Sequence, residues 1–256
     1  VAKVEKKASA VDKYYSRVTE YISKIYTEER QNIEKAADLM TEQIAQNKVI
    51  HAIGPGAHSR IGVEDLFFRA GGLVPINAIL EFSMDQGALR SMLLERVPGI
   101  ATALLDYYKV KKDDLLILIN AYGINAATIE TALECKKRGT KIIAVTSPVN
   151  ARAIPENHPA RHPSGKNLCD LEPDVMIDCK MPVGDAVVEL EGLDVKVGPI
   201  TTVVISYIVN TMVCRTVEKL IEKGIEPPVI VSVNTPDAGR RNQRYFEEYY
   251  NVLKRL

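Results

Sequence analysis

The sequence contains no tryptophan, only four phenylalanines and four histidines, and no excess charge of either sign. Lys plus Arg and Asp plus Glu number 33 each, so the formal net charge is zero at pH 7. No global field draws nucleic acid or an anionic membrane, and neither is expected as a partner. The four cysteines, Cys135, Cys169, Cys179 and Cys214, form no Cys-x-x-Cys pair. At 256 residues the chain can bury a sizeable core without disulfide staples. Reduced thiols and a cytoplasmic location are expected. The apolar runs fall well short of the roughly 20 residues that a membrane-spanning helix needs. The charged start, Val1-Ala2-Lys3-Val4-Glu5-Lys6-Lys7, lacks the apolar centre of a secretory signal.

What is present is the composition of a globular protein, with 46% hydrophobic and 26% charged residues, too apolar for a disordered chain. Val11, Tyr14, Tyr15, Val18, Tyr21, Ile22 and Ile25 recur at three- and four-residue spacing and predict an amphipathic helix. Thr27, followed by Glu28 and Glu29, reads as the N-cap of a second helix. That helix turns Ile33, Ala36, Ala37, Met40 and Ile44 inward and ends near Asn47.

From residue 48 the rhythm becomes strand, helix, strand. Strands are expected at Val49–Ile53, Leu73–Ile79, Leu115–Ile119, Ile142–Val145, Val175–Asp178, Ala186–Leu190 and Val229–Val233. Helices are expected at Ser59–Ala70, Gln86–Tyr108 with a break at Pro98-Gly99, and Ala126–Arg138. A long apolar helix should follow Gly198-Pro199 to about Lys223, with a last one over Arg240–Leu256. Leu115-Leu116-Ile117-Leu118-Ile119 has the unbroken apolar character of a strand covered on both faces. The expectation is a doubly wound α/β three-layer sandwich with a mostly parallel central sheet of about five strands. One domain is expected over 1–256: leading helices at 1–47, the α/β core at 48–233, and a C-terminal tail and helix at 234–256. Residues 147–173, with five prolines and two histidines, break the pattern, and so long a loop in a compact domain points to function.

Ligands of open parallel sheets bind beyond the carboxyl ends of the strands. Gly54–Ser59, Asn120–Asn125, Thr146–Pro148 and the Gly198-Pro199 turn lie there. Backbone N–H groups at helix N-termini favour anions, and Gly54 and Gly56 allow close approach of main chain. A lone Gly-x-Gly reads first as a tight turn, and the dinucleotide fingerprint is incomplete, so no cofactor is expected. His58, Glu64, Asp65, Glu130, His158 and His162 are the acid/base candidates. Glu64 and Asp65 fit a solvated helix face equally well. His158 and His162 stand four apart, but Pro159 and Pro163 rule out a regular helical metal face, so no metal is expected. Lys166 is a candidate to neutralise an anionic ligand, and Asp185, after Gly184, could bond sugar hydroxyls, although a turn position is the simpler account. Cys135 and Cys214 read as core.

Several segments resemble the SIS (sugar isomerase) phosphosugar-binding family. Ile53-Gly54-Pro55-Gly56-Ala57-His58-Ser59 looks like its first loop. Asn120-Ala121-Tyr122-Gly123-Ile124-Asn125, with Thr128-Ile129-Glu130 beyond, looks like its second, and Ala144-Val145-Thr146-Ser147 its third. Gly198-Pro199-Ile200-Thr201-Thr202 fits the family's final ligand-side helix. His162-Pro163-Ser164-Gly165-Lys166 and Asn234-Thr235-Pro236-Asp237-Ala238-Gly239 resemble a phosphoheptose-isomerase-like branch. The resemblance implies a substrate site of Gly54, Gly56, Ser59, Asn120, Tyr122, Gly123, Asn125, Thr146, Ser147 and Lys166. It also implies a catalytic role for Glu64; His58, which sits in the first loop itself, and His162, from the long loop, are the further catalytic candidates on their own positions. One departure matters: the family's second loop usually offers a Ser-x-Ser-Gly-x-Ser/Thr cup, where this chain has Asn120, Tyr122 and Asn125. A sugar acid, an amino sugar or an unphosphorylated sugar therefore stays open.

The function implied is binding of a phosphosugar or related carbohydrate derivative, with aldose–ketose isomerisation as the leading reaction. A non-catalytic sugar sensor and a sugar-phosphate lyase or etherase are the alternatives, and fold alone does not choose between them. A homodimer or higher homo-oligomer is expected from the stripe Val11–Tyr14–Val18–Tyr21–Ile25 and from the long apolar helix after Ile200.

Overall fold

A computed structural model describes residues 8–81, 89–236 and 238–255. Two helices lead, α1 (Ala10–Glu28) and α2 (Arg30–Ala45). The α/β part runs β1 (Ile50–Ile53), α3 (Ala57–Leu66), β2 (Ile76–Ile79), α4 (Leu89–Leu94), α5 (Ile100–Tyr107), β3 (Leu115–Ile119), α6 (Ala126–Arg138), β4 (Lys141–Thr146), α7 (Pro148–Ala153) and β5 (Val175–Asp178). After it come β6 (Ala186–Val188), β7 (Val197–Pro199), α8 (Thr201–Glu222) and α9 (Ala238–Tyr249).

The sheet is parallel throughout, in the order β2-β1-β3-β4-β5. The chain reverses direction across the sheet between β1 and β3, which opens a crevice at their carboxyl ends. Both faces are covered. In β3 the side chains of Leu115, Ile117 and Ile119 enter the core beneath α2, α3 and α8, while Leu116 and Leu118 enter the core beneath α5 and α6. This two-sided burial explains the unbroken apolar run. Along the stripe of α1, Tyr21 and Ile25 are buried, Tyr14 and Val18 half-buried, and Val11 exposed.

Several boundaries differ from the sequence expectation. Thr27 lies inside α1, where its hydroxyl donates to the Ser23 carbonyl, and Glu29 stands between the two helices. Pro75 delays the second strand to Ile76, since proline has no N–H for the ladder. Gln86, Gly87 and Ala88 of the expected 86–108 helix, and Asp237 of the tail, lie outside the described residues. Pro98-Gly99 does break that helix, between α4 and α5. Val229–Val233 is not a strand. Pro227 and Pro228 give only acceptors there, and the pairing is one antiparallel bridge from Val229 to Leu73. Ala186–Val188 does not join the main sheet but forms a small antiparallel pair with β7. Cys135 is buried as expected, whereas Cys214 faces outward from α8. Among the described residues no helix is long and apolar enough to cross a membrane.

Candidate functional site

The crevice at the carboxyl ends of β1 and β3 is a cleft of about 680 Å³. The end of the loop after β1 and the first turn of α3 supply Gly56, His58 and Ser59 to it, and the loop after β3 supplies Asn120, Tyr122 and Asn125. Gly54 packs beneath: a Cβ there would collide with the Ser59 carbonyl. Gly56 has φ +111°, a conformation that L side chains avoid, and a Cβ would stand 2.5 Å from Glu95 Oε2. Glycine at 56 is therefore required by the backbone, and a larger residue there would also displace the Glu95 carboxyl.

The second loop is tied down by its own amides. Asn120 Nδ2 donates to the Pro55 carbonyl at 2.5 Å, and its Oδ1 accepts from Gly123 N at 2.7 Å. Asn125 caps α6 by accepting from Thr128 N at 2.8 Å. Thr146 and Ser147 lie deeper and outside the cleft lining. Ser147 Oγ donates to the Met181 carbonyl at 2.8 Å. The Thr128 and Thr146 hydroxyls are buried with no protein partner among the described residues.

Glu64 is half-buried and pairs with Arg60 at 2.7 Å, away from the cleft. Asp65 accepts from Asn210 Nδ2 at 2.6 Å on the α8 side. His162 also lies outside the lining. Its Nδ1 accepts from Ser164 N, which leaves the proton on Nε2, 3.9 Å from Glu130 Oε1. Glu130 in turn accepts from Gly99 N at 2.7 Å, so it ties the proline-rich loop to the start of α5. Lys166 is exposed and does not reach the lining. From that loop the cleft receives Ile154, His158 and Ala160 instead. Arg161 fixes the loop by donating to the carbonyls of Ala151, Ile154, Pro155 and Gly165. His158 Nδ1 accepts from Ala160 N at 3.1 Å, which makes Nε2–H the free donor. Among the described residues no cluster of His, Cys, Asp or Glu gathers to hold a metal ion.

Residues 13–147 match the family model of the SIS domain. A UPF0309 protein of Caldanaerobacter subterraneus subsp. tengcongensis is 36% identical over 251 residues, which cover 96% of this chain and 100% of that protein. A UPF0309 protein of Geobacillus thermodenitrificans is 32% identical over 241 residues, 93% of this chain and 94% of that one. The chain belongs to the SIS domain family. Similar solved structures include a phosphoheptose isomerase of Neisseria gonorrhoeae, 12% identical with a TM-score of 0.48, covering 83% of this chain and 97% of that one. Another, with an inferred 3-hexulose-6-phosphate isomerase function, comes from Methanococcus jannaschii. It is 15% identical with a TM-score of 0.42, covering 84% of this chain and 92% of that one.

The cleft of this SIS chain holds two carboxylates, Glu95, which sequence reasoning passed over, and Asp185, which it read first as a turn residue. Glu95 follows α4, and its carboxyl lies against Gly56 and takes a hydrogen bond from Asn125. Burial pushes it up to about 7, against the opposing pull of Arg96 and of that hydrogen bond. Asp185 caps α8: its Oδ1 accepts from Ile200 N at 3.0 Å, Thr201 N at 2.8 Å and the Thr201 hydroxyl. Its φ is +66°, so the carboxylate is aimed from a left-handed backbone that aspartate tolerates better than most residues. Tyr122 is pushed up by burial and by the Asp185 charge. One sequence signal for Glu95 existed: Glu95-Arg96 is a charged pair between apolar Met92-Leu93-Leu94 and the Pro98-Gly99 break.

Proposed function

We propose that the cleft binds the open chain of a sugar derivative and moves a proton between its adjacent carbons, as an aldose–ketose isomerase does. The observation that carries this is Glu95, a carboxyl raised to about 7 by burial in a cleft bordered by helix N-termini. A base near neutral pKa is suited to taking a proton and giving it back at physiological pH. Membership of the SIS family supports the sugar as ligand.

In the proposed reaction the Glu95 carboxylate takes the proton from the carbon next to the carbonyl. The electron pair of that C–H bond forms the C=C bond of an enediolate, and the carbonyl oxygen gains charge. His158 Nε2–H and the N–H groups at the start of α3 are donors for that oxygen. Glu95-H then returns the proton to the neighbouring carbon. For the new carbonyl to form, the hydroxyl proton on the carbon that was deprotonated must also pass to the charged oxygen, and His58, which lines the cleft, is the candidate to carry it.

The test is exchange in deuterated water. Sugars that stabilise the protein against heat are incubated with it, and label at carbon two is followed together with product. Label or product that disappears in Glu95→Gln supports the proposal. A bound sugar with neither label nor product would replace isomerase with sensor.

We also propose that the chain self-associates. Tyr26 and Ile221 are 57% and 62% exposed beside a groove between the leading helices and α8. A monomer mass by light scattering at micromolar concentration would reject this.

A further inference from the structure

Fixed positive charge is scarce in the cleft. Arg96, in the turn after α4, is the only lysine or arginine among the described residues that line it. Residues 82–88, outside the described set, contain neither. Lys166 stands outside the lining. The charge of Arg96 is felt in the cleft, since it opposes the rise that burial imposes on Glu95.

The Arg96 guanidinium is also unspent. Its Nε is buried without an acceptor, and no hydrogen bond or ion pair among the described residues reaches its side-chain nitrogens. Other arginines of the molecule are used by the chain itself. Arg17 likewise buries an Nε that makes no hydrogen bond, but its Nη1 donates to Glu20 at 2.6 Å. Arg161, in the proline-rich loop beside the cleft, gives its guanidinium to four main-chain carbonyls. Buried donors in native proteins are nearly always paired, and an unmade bond at a charged group costs stability. The missing acceptor of Arg96 is therefore to be sought in what enters the cleft.

Other side chains there are already engaged. Asn120 spends its amide on Pro55 and Gly123, and Asn125 on Thr128 and Glu95. The charge of Asp185, which would repel an anion, is met by three donors at the start of α8.

We infer that Arg96 holds the anionic group of the sugar derivative, a phosphate ester or a carboxylate, with Nε–H and a terminal N–H donating side by side to two of its oxygens. The planar guanidinium fork matches both groups in this way, whereas a neutral hydroxyl offers one acceptor and no charge. The inference rests on the reading of the cleft as a sugar site and names the residue that selects its ligand for charge. It also gives a reason for the departure of the second loop. With the anion held from the turn after α4, the amides at 120 and 125 serve to tie the loops together.

Titration calorimetry on the intact chain with matched sets tests it. Glucose, glucosamine, ribose and arabinose are each compared with the terminal phosphate ester, and glucose also with glucuronate, its C6 acid. At least one anionic member should bind about tenfold or more tightly than its neutral parent, and whether it is an ester or the acid identifies the group. In Arg96→Gln that member should lose about tenfold or more, while any neutral parent that binds keeps its affinity and the melting temperature holds. Neutral sugars that bind as tightly as their anionic partners would overturn the inference and leave the sugar site standing. So would an anionic preference that survives Arg96→Gln. If no member of any set binds, the sugar site itself falls, and the inference with it. Arg96→Lys keeps the charge but not the fork, and it carries the test where Arg96→Gln does not fold. The anionic preference should shrink in it, and an undiminished preference would overturn the paired bonds assigned to Arg96.

Discussion

Two shielded carboxyl groups stand at opposite ends of the same five strands, and their surroundings are opposites. Asp114 lies before β3 at the amino end. Burial alone would raise it, but hydrogen bonds from His51 and from Lys111 N hold it below the usual carboxylate range. His51 Nε2 is 3.4 Å from it, and the other ring nitrogen meets Asn77 Nδ2 at 3.2 Å. Glu95 lies over the carboxyl end. It has one side-chain hydrogen bond, from Asn125, and a neighbouring arginine, and burial prevails. The amino end of the sheet is thus closed by satisfied polar groups, as a structural site should be. The carboxyl end keeps an acid in an environment that disfavours its charge, which costs stability and suits proton transfer.

The largest effect expected from disturbing this contrast is on chemistry. Glu95→Gln should lower proton exchange into a bound sugar by roughly a hundred- to ten-thousandfold, the usual contribution of a general base. Binding should change far less. In the unmodified protein, turnover per bound sugar should rise with pH through about 7, because the base works only when ionised. A profile that falls over that range would mean the acid form of Glu95 is the active one.

At the other end, Asp114→Ala should lower stability by about 3 kcal/mol, since it leaves the buried His51 without its partner and Lys111 N without its acceptor. Sugar affinity should hold, because Asp114 is outside the cleft lining. Denaturant melts and titration calorimetry separate the two. A variant that folds well but binds no sugar would dissolve the distinction between the ends.

A slightly smaller effect follows from linkage, with opposite signs at the two ends. The folded-state value of Glu95 is above its ordinary 4.5, so the folded protein holds a proton that the unfolded chain releases. Stability from this group is therefore lost as pH rises from about 4.5 to about 7. Asp114 is lowered, so its contribution is present above its ordinary 3.8 and is lost as pH falls below the carboxylate range. Glu95→Gln should be more stable than the unmodified protein above pH 8, by an amount on the order of 3 kcal/mol, and the gain should vanish near pH 4. Melts at pH 4, 6 and 8 would show it. A gain independent of pH would place its origin outside Glu95 ionisation.

How far each end could be read from the sequence follows from the range of the interactions that build it. Leu115–Ile119 declares a strand covered on both faces, because each residue carries the signal alone. Gly54-Pro55-Gly56 declares a turn for the same reason. The first-loop and second-loop residues His58, Ser59, Tyr122 and Asn125 do line the cleft, since any open parallel sheet brings those loops together. Glu95 left only the trace of a charged pair beside an apolar run, because its place in the cleft depends on Gly56 and Asn125 from other parts of the chain. Asp185 looked like a turn residue and is one; that its turn meets the start of α8, fifteen residues on, is a tertiary fact. Val229–Val233 has strand composition, but the prolines before it and the Leu73 loop beside it allow only a bridge.

The smallest effect concerns the acid the sequence puts forward. Glu64 sits two turns into α3, near the first loop in sequence, and by position alone competes with Glu95 as the base. Its carboxyl pairs with Arg60 at 2.7 Å on a face that is 39% exposed at Glu64. A half-exposed pair of this kind contributes about 0.3–0.5 kcal/mol on a helix. Neither partner lines the cleft. Glu64→Gln should therefore shift stability by less than about 0.5 kcal/mol and leave exchange within about twofold of the unmodified protein. The pair of substitutions decides between two carboxylates. If Glu64→Gln abolishes exchange and Glu95→Gln does not, the base is the one near the loop in sequence, and α3 must turn toward the sugar on binding. If only Glu95→Gln abolishes it, what selects the base is burial at the carboxyl end of the sheet rather than nearness to a motif.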